Sequence, residues 1–381
     1  MAKNRKLRMG LAGGGPGAFI GAVHRMAAEL DGRIEMVAGA FSSSPEKSRA
    51  AGEGYRIDPA RAYASYDEML DVEKQRPDGI DFVCIATPNN LHLPMATAAL
   101  EAGIPVVSDK PATATYPEVL ELEKAVAKAG IPYALTHTYA GYALVRDARA
   151  LCASGELGVI RKVAVEYFQG WLSQPIEKEG QKQAGWRVDP ALSGPGGCIG
   201  DIGTHGFHLI EFVTGLQTTA IYGTLRSVVE GRRVDDDCTA LLKLNNGAYA
   251  TLLCSQIATG ERNSVRIRVY GTRASLSWAQ EDPNYLHVRQ PDGREEIRHA
   301  GGPYLSADAR AVTRFPGGHP EGYLEAFAVL YREFADAYEA WAAGNKNPLP
   351  PTLPGIVAGV RGMRFIERTI ESNKAGKWVE F

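Results

Sequence analysis

Long apolar runs are missing from this 381-residue sequence, since no window approaches the ~18 apolar residues that a bilayer-spanning helix needs. The start, MAKNRKLRMGLAGGG, is basic but reaches glycines before any apolar segment of signal-peptide length. An excess of one charge is also missing, because 42 Lys and Arg stand against 44 Asp and Glu. No basic field would therefore attract nucleic acid or anionic lipid. We expect a cytoplasmic protein with no membrane or nucleic-acid partner.

Paired cysteines are lacking as well. The five cysteines are scattered and form no Cys-x-x-Cys motif; they are Cys84, Cys152, Cys198, Cys238 and Cys254. This pattern excludes a disulfide framework and a cysteine-based zinc site as the basis of the fold. The content of 45% hydrophobic and 23% charged residues is instead ordinary for a globular protein, and the length predicts two domains.

The first third of the chain alternates between short apolar runs and helical patterns. The predicted strands include LRMGLA, IEMVAGAF, DFVCIATP and IPVVSDKP, and the predicted helices between them include AFIGAVHRMAAEL and YPEVLELEKAVAKAG. Such alternation is typical of a parallel sheet that helices cover on both faces. We therefore predict an α/β protein in which residues 1–138 form a doubly wound, Rossmann-type domain.

Beyond residue 138 the pattern changes to strands joined by hairpin turns. Strand character is found in DCTALLKL, GAYATLLCSQIA and SVRIRVYG, and turn dipeptides in LNNGAY and QPDGRE. Two helical segments, PEGYLEAFAVLYREFADAYEAWAAG and PGIVAGVRGMRFIERTIESNKAG, close the chain. Residues 139–381 are thus predicted to form an α+β domain with a large, mostly antiparallel open sheet.

The stretch LRMGLAGGGPGAFIGAVHR, residues 7–25, places glycines between the first strand and the first helix. At this junction a dinucleotide-binding loop uses Gly-x-Gly for a tight turn and for close approach of the pyrophosphate, whose charge the helix N-terminus binds. A merely structural turn is the alternative, and the third small residue is either Ala18 or Gly21. The residues predicted to contact the cofactor here are Gly13, Gly15, Pro16, Gly17, Ala18 and Phe19.

The end of the second strand should carry an acid for the ribose 2′-hydroxyl of NAD. The sequence there is AGAFSSSPEK, with Ser42 and Ser43 at that position and no adjacent arginine for a 2′-phosphate. We predict that both serines contact the cofactor, although the triplet also suits a helix cap before Pro45. The sequence leaves NAD(H) and NADP(H) both open.

Three later segments, ATPNNLHLPMA, VSDKPATAT and GWRVDPALSGPGGCIGDIGTHGFHL, follow the glycine loop in order. Together with it they resemble the glucose–fructose oxidoreductase/inositol dehydrogenase (Gfo/Idh/MocA) family along nearly the whole chain. The resemblance implies an NAD(P)-dependent oxidoreductase with further cofactor-binding residues Thr87, Pro88, Asn89, His92 and Lys110. The catalytic residues that it implies are Lys110, Asp201 and His205. Lys110 lies in Asp109-Lys110-Pro111, where the family has Glu-Lys-Pro.

The resemblance also bears on substrate and assembly. Trp186 and Arg187 match a Trp-Arg pair that usually lies at the substrate pocket, but THTYAGY departs from the Arg-rich pattern of many members, so substrate preference is not inherited. The residues predicted to contact substrate are Lys110, His137, Tyr139, Tyr142, Trp171, Trp186, Arg187, Asp201 and His205. Because the family's second-domain sheets commonly pair between subunits, a homodimer or homotetramer is implied.

Oxidation of a secondary alcohol gives these residues a consistent chemistry. The hydroxyl proton needs a base, which histidine supplies near neutral pH, and the oxygen needs a nearby positive group such as Lys110. Asp201 and His205 are four residues apart at a predicted helix start, so the carboxylate can orient the imidazole. A helix-capping aspartate and a structural histidine are the alternatives. His205 and His208 form His-x-x-His, but no third ligand stands out, so we expect no metal.

Three functions fit this set. The leading one is an NAD(P)-dependent dehydrogenase or reductase that acts on a secondary hydroxyl or ketone of a sugar, sugar derivative or cyclic polyol. A glycosidase that oxidises a ring carbon transiently, eliminates the aglycone and returns the hydride would use the same residues. A non-catalytic dinucleotide-binding sensor is disfavoured because the full Lys–Asp–His set is present.

Overall fold

The computed structural model describes residues 5–346 and 348–381, so the first four residues of the basic N-terminal stretch lie outside it. The described residues divide into two compact units: those up to residue 136 with those of 327–360 form the first, and residues 137–326 with 361–381 form the second. The division near residue 137 lies close to the predicted boundary, but residues 327–360 group with the first unit. Within the described residues, no helix combines the length and apolarity needed to cross a membrane.

The first unit contains a five-stranded sheet in which every pairing is parallel. Its strands are β1 (Leu7–Gly13), β2 (Ile34–Ala40), β3 (Phe82–Ala86), β4 (Val106–Ser108) and β5 (Tyr133–Leu135). Their order is β2-β1-β3-β4-β5. The connecting helices are α1 (Ile20–Glu29), α2 (Pro45–Tyr55), α3 (Tyr66–Gln75), α4 (His92–Glu101) and α5 (Tyr116–Ala129). The predicted doubly wound parallel sheet is confirmed.

Two features of this unit go beyond the predicted elements. Helix α3 has the sequence signature of a helix start, since Ser65 is followed three residues later by Glu68, whose backbone N–H bonds the Ser65 hydroxyl at 3.2 Å. Residues 327–360 belong here because Phe334 packs on Phe82 of β3, with ring centroids 4.8 Å apart. Tyr331 likewise donates a hydrogen bond to Cys84 of the same strand.

The second unit contains a nine-stranded sheet. Its strands are β6 (Ile160–Phe168), β7 (Thr218–Arg226), β8 (Asp237–Leu244), β9 (Tyr249–Ser255), β10 (Ser264–Gly271), β11 (Ser275–Ala279), β12 (Tyr285–Arg289), β13 (Glu295–His299) and β14 (Val379–Glu380). The order is β13-β12-β11-β10-β6-β9-β8-β7-β14, and only the β6–β9 pair is parallel among these described strands. The predicted large, mostly antiparallel sheet is confirmed.

Helices pack on one face of this sheet, and the other face is open within the unit. The remaining helices of the chain are α6 (Ala143–Ala153), α7 (Lys182–Arg187), α8 (Pro190–Ser193), α9 (Thr204–Thr214), α10 (Ala307–Val312), α11 (Tyr323–Ala342) and α12 (Ile356–Ala375). Helix α9 lies close to the sheet, because a side chain at Gly206 would meet Leu252 and Val165 at 3.2 Å. A π-helical turn, Ile199–Gly203, leads directly into α9.

Candidate active site

The glycine loop joins β1 to α1, as the sequence predicts. Gly13 has a φ of +91°, and a Cβ atom there would lie 2.4 Å from the carbonyl oxygen of Ala86. A Cβ atom at Gly15 would lie 2.4 Å from the carbonyl oxygen of Phe41. The loop therefore passes so close to the ends of β3 and β2 that only glycine fits. The protein's own backbone imposes this requirement, in addition to the pyrophosphate approach inferred from the sequence.

Gly21 takes the third small position of the fingerprint. It lies in the first turn of α1, where a Cβ atom would come within 2.3 Å of the Gly14 Cα. Close packing of helix on loop is the role of the third glycine in dinucleotide-binding folds. Ala18 instead closes a turn by donating its N–H to the Gly15 carbonyl at 2.9 Å. Tyr55 supports the loop, since its hydroxyl donates to the Gly14 carbonyl at 2.8 Å.

The three serines after β2 have different roles. Ser44 caps α2, because its hydroxyl accepts from the backbone N–H of Lys47 and donates to Glu46 at 2.9 Å. Ser42 accepts a hydrogen bond from the Ser44 N–H at 3.2 Å, whereas the next residue, Ser43, is exposed. The cap thus belongs to Ser44, and Ser42 and Ser43 remain predicted contacts of the cofactor ribose.

The loop after β3 carries Thr87 and Pro88, and Asn89 begins a short 3-10 turn that leads into α4. Thr87 approaches the glycine loop, since its methyl group would lie 3.1 Å from a Cβ atom at Gly13. His92, the first residue of α4, is 1% exposed, and both of its ring nitrogens face backbone carbonyl oxygens. Nε2 lies 2.9 Å from the Thr87 oxygen and Nδ1 lies 2.7 Å from the Pro111 oxygen.

Lys110 follows β4 at the carboxyl edge of the first sheet, where ligands bind in open α/β folds. The Asp109 carboxylate accepts hydrogen bonds from the Lys110 backbone N–H and from the Thr136 hydroxyl, both at 2.9 Å. The shorter acid of this Asp-Lys-Pro motif therefore fastens the backbone of the lysine to the end of β5.

Asp201 lies in the second unit, within the π-helical turn, a rare element that is frequent at functional sites. Its Oδ2 atom accepts from Arg187 Nε at 3.1 Å and from Gln256 Nε2 at 2.8 Å. The turn begins where Asp235 accepts from the backbone N–H groups of Gly197 and Ile199 at 2.8 and 2.7 Å. Burial raises the pKa of Asp235 to about 6.

His205 is the second residue of α9, one turn after Asp201, and is 7% exposed. Aromatic rings surround it: His137 and Tyr139 contact it edge-on, with centroids 5.4 and 4.9 Å away, and Tyr167 lies at 6.2 Å. His137 also stacks in parallel on His208 at 4.2 Å. Burial, assisted by nearby Arg149 and Arg146, lowers the pKa of His208 to about 3, so this ring is neutral near pH 7.

A polar network extends from Asp201 across the same unit. Gln256 Nε2 also approaches Gln169 Oε1 at 3.4 Å, and Gln169 Nε2 donates to Asn263 Oδ1 at 2.8 Å. Asn263 accepts from the Tyr167 hydroxyl at 2.8 Å and donates to the Tyr139 hydroxyl at 3.2 Å. The two hydroxyls are themselves 2.7 Å apart. The network therefore joins the predicted catalytic carboxylate to the rings around His205.

Most members of this network escape prediction from sequence. The missed residues are Tyr167, Gln169, Gln256, Asn263 and Gln280. They lie at the ends of β6, β9, β10 and β11, far apart in the chain, and no spacing pattern connects them. The sequence feature that these residues share is an amide side chain at the end of a strand. This feature is too common to identify them as site residues.

The predicted aromatic residues are placed around Arg187 and behind Tyr139. The Arg187 guanidinium lies 4.3 Å from the Trp186 ring and 5.8 Å from the Trp171 ring, and Trp171 donates to Gln169 at 2.9 Å. Tyr142 is 4% exposed, and its ring is parallel to that of Tyr139 at 6.3 Å. The second unit thus brings together the eight predicted substrate residues other than Lys110, which belongs to the first unit. Among the described residues, no group of three or more His, Cys, Asp or Glu is arranged to hold a metal ion.

Comparison with known families bears on both units. Residues 7–137 match the family described as "Oxidoreductase family, NAD-binding Rossmann fold". Residues 145–277 match the "GFO/IDH/MocA C-terminal domain". Both predicted domains therefore have counterparts in one family.

Individual relatives extend over the whole chain. The uncharacterized oxidoreductase YfiI of Bacillus subtilis (strain 168) is 34% identical over 385 residues, covering 99% of this chain and 98% of YfiI. Levoglucosan dehydrogenase of Pseudarthrobacter phenanthrenivorans is 25% identical over 415 residues, with the same coverage of 99% and 98%.

Solved structures agree with these matches. An inositol dehydrogenase homolog from Azotobacter vinelandii, complexed with NAD+, is 37% identical with a TM-score of 0.95, covering 99% of this chain and 98% of that one. The same homolog complexed with NADH and myo-inositol has a TM-score of 0.92 at 36% identity, with equal coverage. The predicted nicotinamide dinucleotide cofactor and oxidoreductase class are thereby confirmed. The chain belongs to the GFO/IDH/MocA family of NAD(P)-dependent oxidoreductases.

Proposed function

We propose that this protein oxidises a secondary hydroxyl of an uncharged cyclic polyol or sugar to a ketone, with His205 as the base. One observation carries the proposal: the carboxylate of Asp201, one helical turn before His205, is bound by Arg187 and Gln256. A nicotinamide dinucleotide held by the glycine loop supplies the hydride acceptor. The cradle suits that group, because Gly13 and Gly15 keep the loop free of side chains beside the helix N-terminus.

The roles of the polar groups follow from their surroundings. A cation and an amide donor hold one oxygen of the Asp201 carboxylate, which can then stabilise a protonated His205. His205 lies among aromatic rings, where it accepts the hydroxyl proton with little competition from water. Lys110 stabilises the negative charge that develops on the substrate oxygen, and its backbone is fixed through Asp109.

The second unit favours a substrate without charge. Its site cation, Arg187, is already paired with Asp201 and flanked by two tryptophans. The groups around His205 are the His137 ring and two phenols that bond the Asn263 amide; such groups donate to and accept from hydroxyls. A ring with several hydroxyls fits this chemistry better than a carboxylate or phosphate ester. The myo-inositol bound by the Azotobacter homolog has the same chemical character.

We also propose that the protein is a homodimer or homotetramer joined through the open face of the nine-stranded sheet. Four side chains in register form a row across this face; they are Ala164, Thr251, Leu241 and Tyr222. Trp378, 42% exposed, adds an aromatic ring beside Tyr222 at 6.0 Å. Sedimentation at micromolar concentration should give a multiple of the chain mass, and a monomer would contradict the proposal.

A substrate screen tests the reaction. Purified protein is mixed with NAD+ or NADP+ and with myo-inositol, levoglucosan, D-xylose and aryl glycosides, while NAD(P)H absorbance and aglycone release are both followed. Net NAD(P)H formation with an uncharged polyol or sugar is the expected result. Aglycone release without net reduction would instead indicate the oxidoreductive glycosidase, and tight cofactor binding without turnover would indicate a sensor.

A further inference from the structure

His92 is enclosed between two functional loops of the first unit. Its imidazole is 1% exposed and bridges the backbone carbonyls of Thr87 and Pro111 at 2.9 and 2.7 Å. Thr87 belongs to the loop after β3, which touches the glycine loop, and Pro111 directly follows Lys110. The ring therefore spans from the cofactor side to the predicted catalytic lysine.

Lys110 is consequently held from both sides along the backbone. On its N-terminal side, the Asp109 carboxylate binds the Lys110 N–H and the Thr136 hydroxyl. On its C-terminal side, the carbonyl oxygen of the next residue, Pro111, lies 2.7 Å from His92 Nδ1. The segments that follow β3, β4 and β5 are thus connected through the side chains of Asp109 and His92.

We propose that His92 is a positioning residue, which fixes the loop after β3 relative to Lys110 so that the cofactor and the lysine keep one geometry. The part of this inference that concerns Lys110 rests on the proposed function. The part that concerns the effect of His92 on cofactor binding does not. The family resemblance implied that His92 contacts the dinucleotide directly. Because the two carbonyls enclose the ring, His92 can affect cofactor binding without such a contact. Its effect is exerted through the backbone.

The protonation state limits how the ring can hold both loops. Both partners are carbonyl oxygens, which only accept, and a neutral imidazole has one N–H to donate. Burial lowers the pKa of His92, against the opposing effects of the two carbonyls and Asp109 and with a small contribution from Lys110. The neutral ring therefore donates a hydrogen bond to only one of the two carbonyls, and its other nitrogen, which carries no proton, faces the second carbonyl oxygen without a hydrogen bond. A side chain with one donor should retain part of this function.

The test compares three variants. His92→Phe keeps a buried ring without a donor, and His92→Gln keeps one donor. His24→Phe is the matched control, since His24 is equally buried in the first unit and bonds only the Tyr331 hydroxyl, at 2.7 Å, among described partners. NAD+ affinity is measured by calorimetry, turnover by NADH formation, and stability by thermal unfolding.

For His92→Phe we expect roughly tenfold weaker NAD+ binding and turnover lower by roughly 10²-fold, because small displacements at a reacting centre are costly. His92→Gln should lie between this variant and the wild type. His24→Phe should lower the unfolding temperature while its cofactor affinity and turnover stay within about twofold.

The proposal is overturned if His92→Phe behaves like His24→Phe, with lower stability but unchanged affinity and turnover. Should His92→Phe fail to fold, wild-type affinity and turnover in His92→Gln would overturn it equally. If no polyol or sugar is oxidised by the wild type, the proposed function fails, yet the calorimetric comparison still decides the role of His92.

Discussion

The two units form their sites from different kinds of groups, the first mainly from the backbone and the second mainly from side chains. In the first unit the site consists largely of backbone: glycines that admit no Cβ atom, carbonyls of Thr87 and Pro111, and helix N-termini. In the second unit it consists of side chains from separate elements, such as Asp201 of the π-helical turn, Gln256 after β9 and Asn263 before β10. Backbone sites require particular residue types at fixed spacing and so leave a motif, whereas side-chain sites are assembled by tertiary structure.

The strongest expected effect on cofactor binding concerns the backbone site. Gly15→Val should weaken NAD+ binding by about 10²-fold or more, because its Cβ atom would lie 2.4 Å from the Phe41 carbonyl and the loop must move. Gly32→Ala is the matched control: its φ is +70° but nothing lies within 4 Å of the added Cβ atom. It should cost about 1 kcal/mol of stability and leave affinity unchanged. Calorimetry that finds wild-type affinity in Gly15→Val would remove the loop from the cofactor site.

The second unit should lose stability in acid, because its environment keeps His208 neutral near pH 7. The pKa of His208 is lowered to about 3, whereas the unfolded chain titrates near 6.5. Between these values the unfolded state binds a proton that the folded state does not, so stability falls as the pH falls. From pH 6.5 to 5 this should cost ~2 kcal/mol, a loss that His208→Leu should lack. Urea unfolding at both pH values measures it, and equal pH dependence in both proteins would refute the prediction.

A single side chain of the polar network should affect turnover alone. Gln256→Leu removes a hydrogen bond to the charged Asp201 and should lower turnover by roughly tenfold or more, with NAD+ affinity unchanged. Gln280→Leu, at the far end of the network beside Tyr142, should have a smaller effect. Equal turnover in both variants and the wild type would mean that the network does not serve Asp201.

Some elements of the fold and the site can be predicted from the sequence, and others cannot. Strands β1–β5 are predicted because buried parallel strands are continuous apolar runs, and the glycine loop because only glycine fits there. Gly21 could not be separated from Ala18, since the distinction depends on tertiary packing: a Cβ atom at Gly21 would come within 2.3 Å of the Gly14 Cα. Gln169, Gln256 and Asn263 could not be found, because strand pairing alone brings them to Asp201 and Tyr139. That residues 327–360 belong to the first unit could not be predicted either, because it depends on packing against Phe82.

The smallest expected effect separates the two cofactors. A carboxylate at Ser42 would accept from the ribose hydroxyls of NAD and repel a 2′-phosphate, which costs about 1 kcal/mol or more near a protein surface. Ser42→Asp should therefore shift the ratio of kcat/KM for NAD+ over NADP+ upward by roughly fivefold or more. Ser43→Asp, one residue further on, shows which serine faces the ribose. An unchanged ratio in both variants would place the ribose elsewhere.

The division of labour between the units is tested most directly with His205→Ala, by measuring NAD+ affinity and the pH dependence of turnover on the same protein. We predict that turnover falls by roughly 10²–10⁴-fold, the usual scale for loss of a general base, while NAD+ affinity hardly changes. Oxidation by the wild type should rise with pH as the base loses its proton, and this pH dependence should vanish in the variant. A His205→Ala protein that keeps wild-type turnover and pH profile, or that loses NAD+ binding, would contradict the assignment of proton transfer to the second unit.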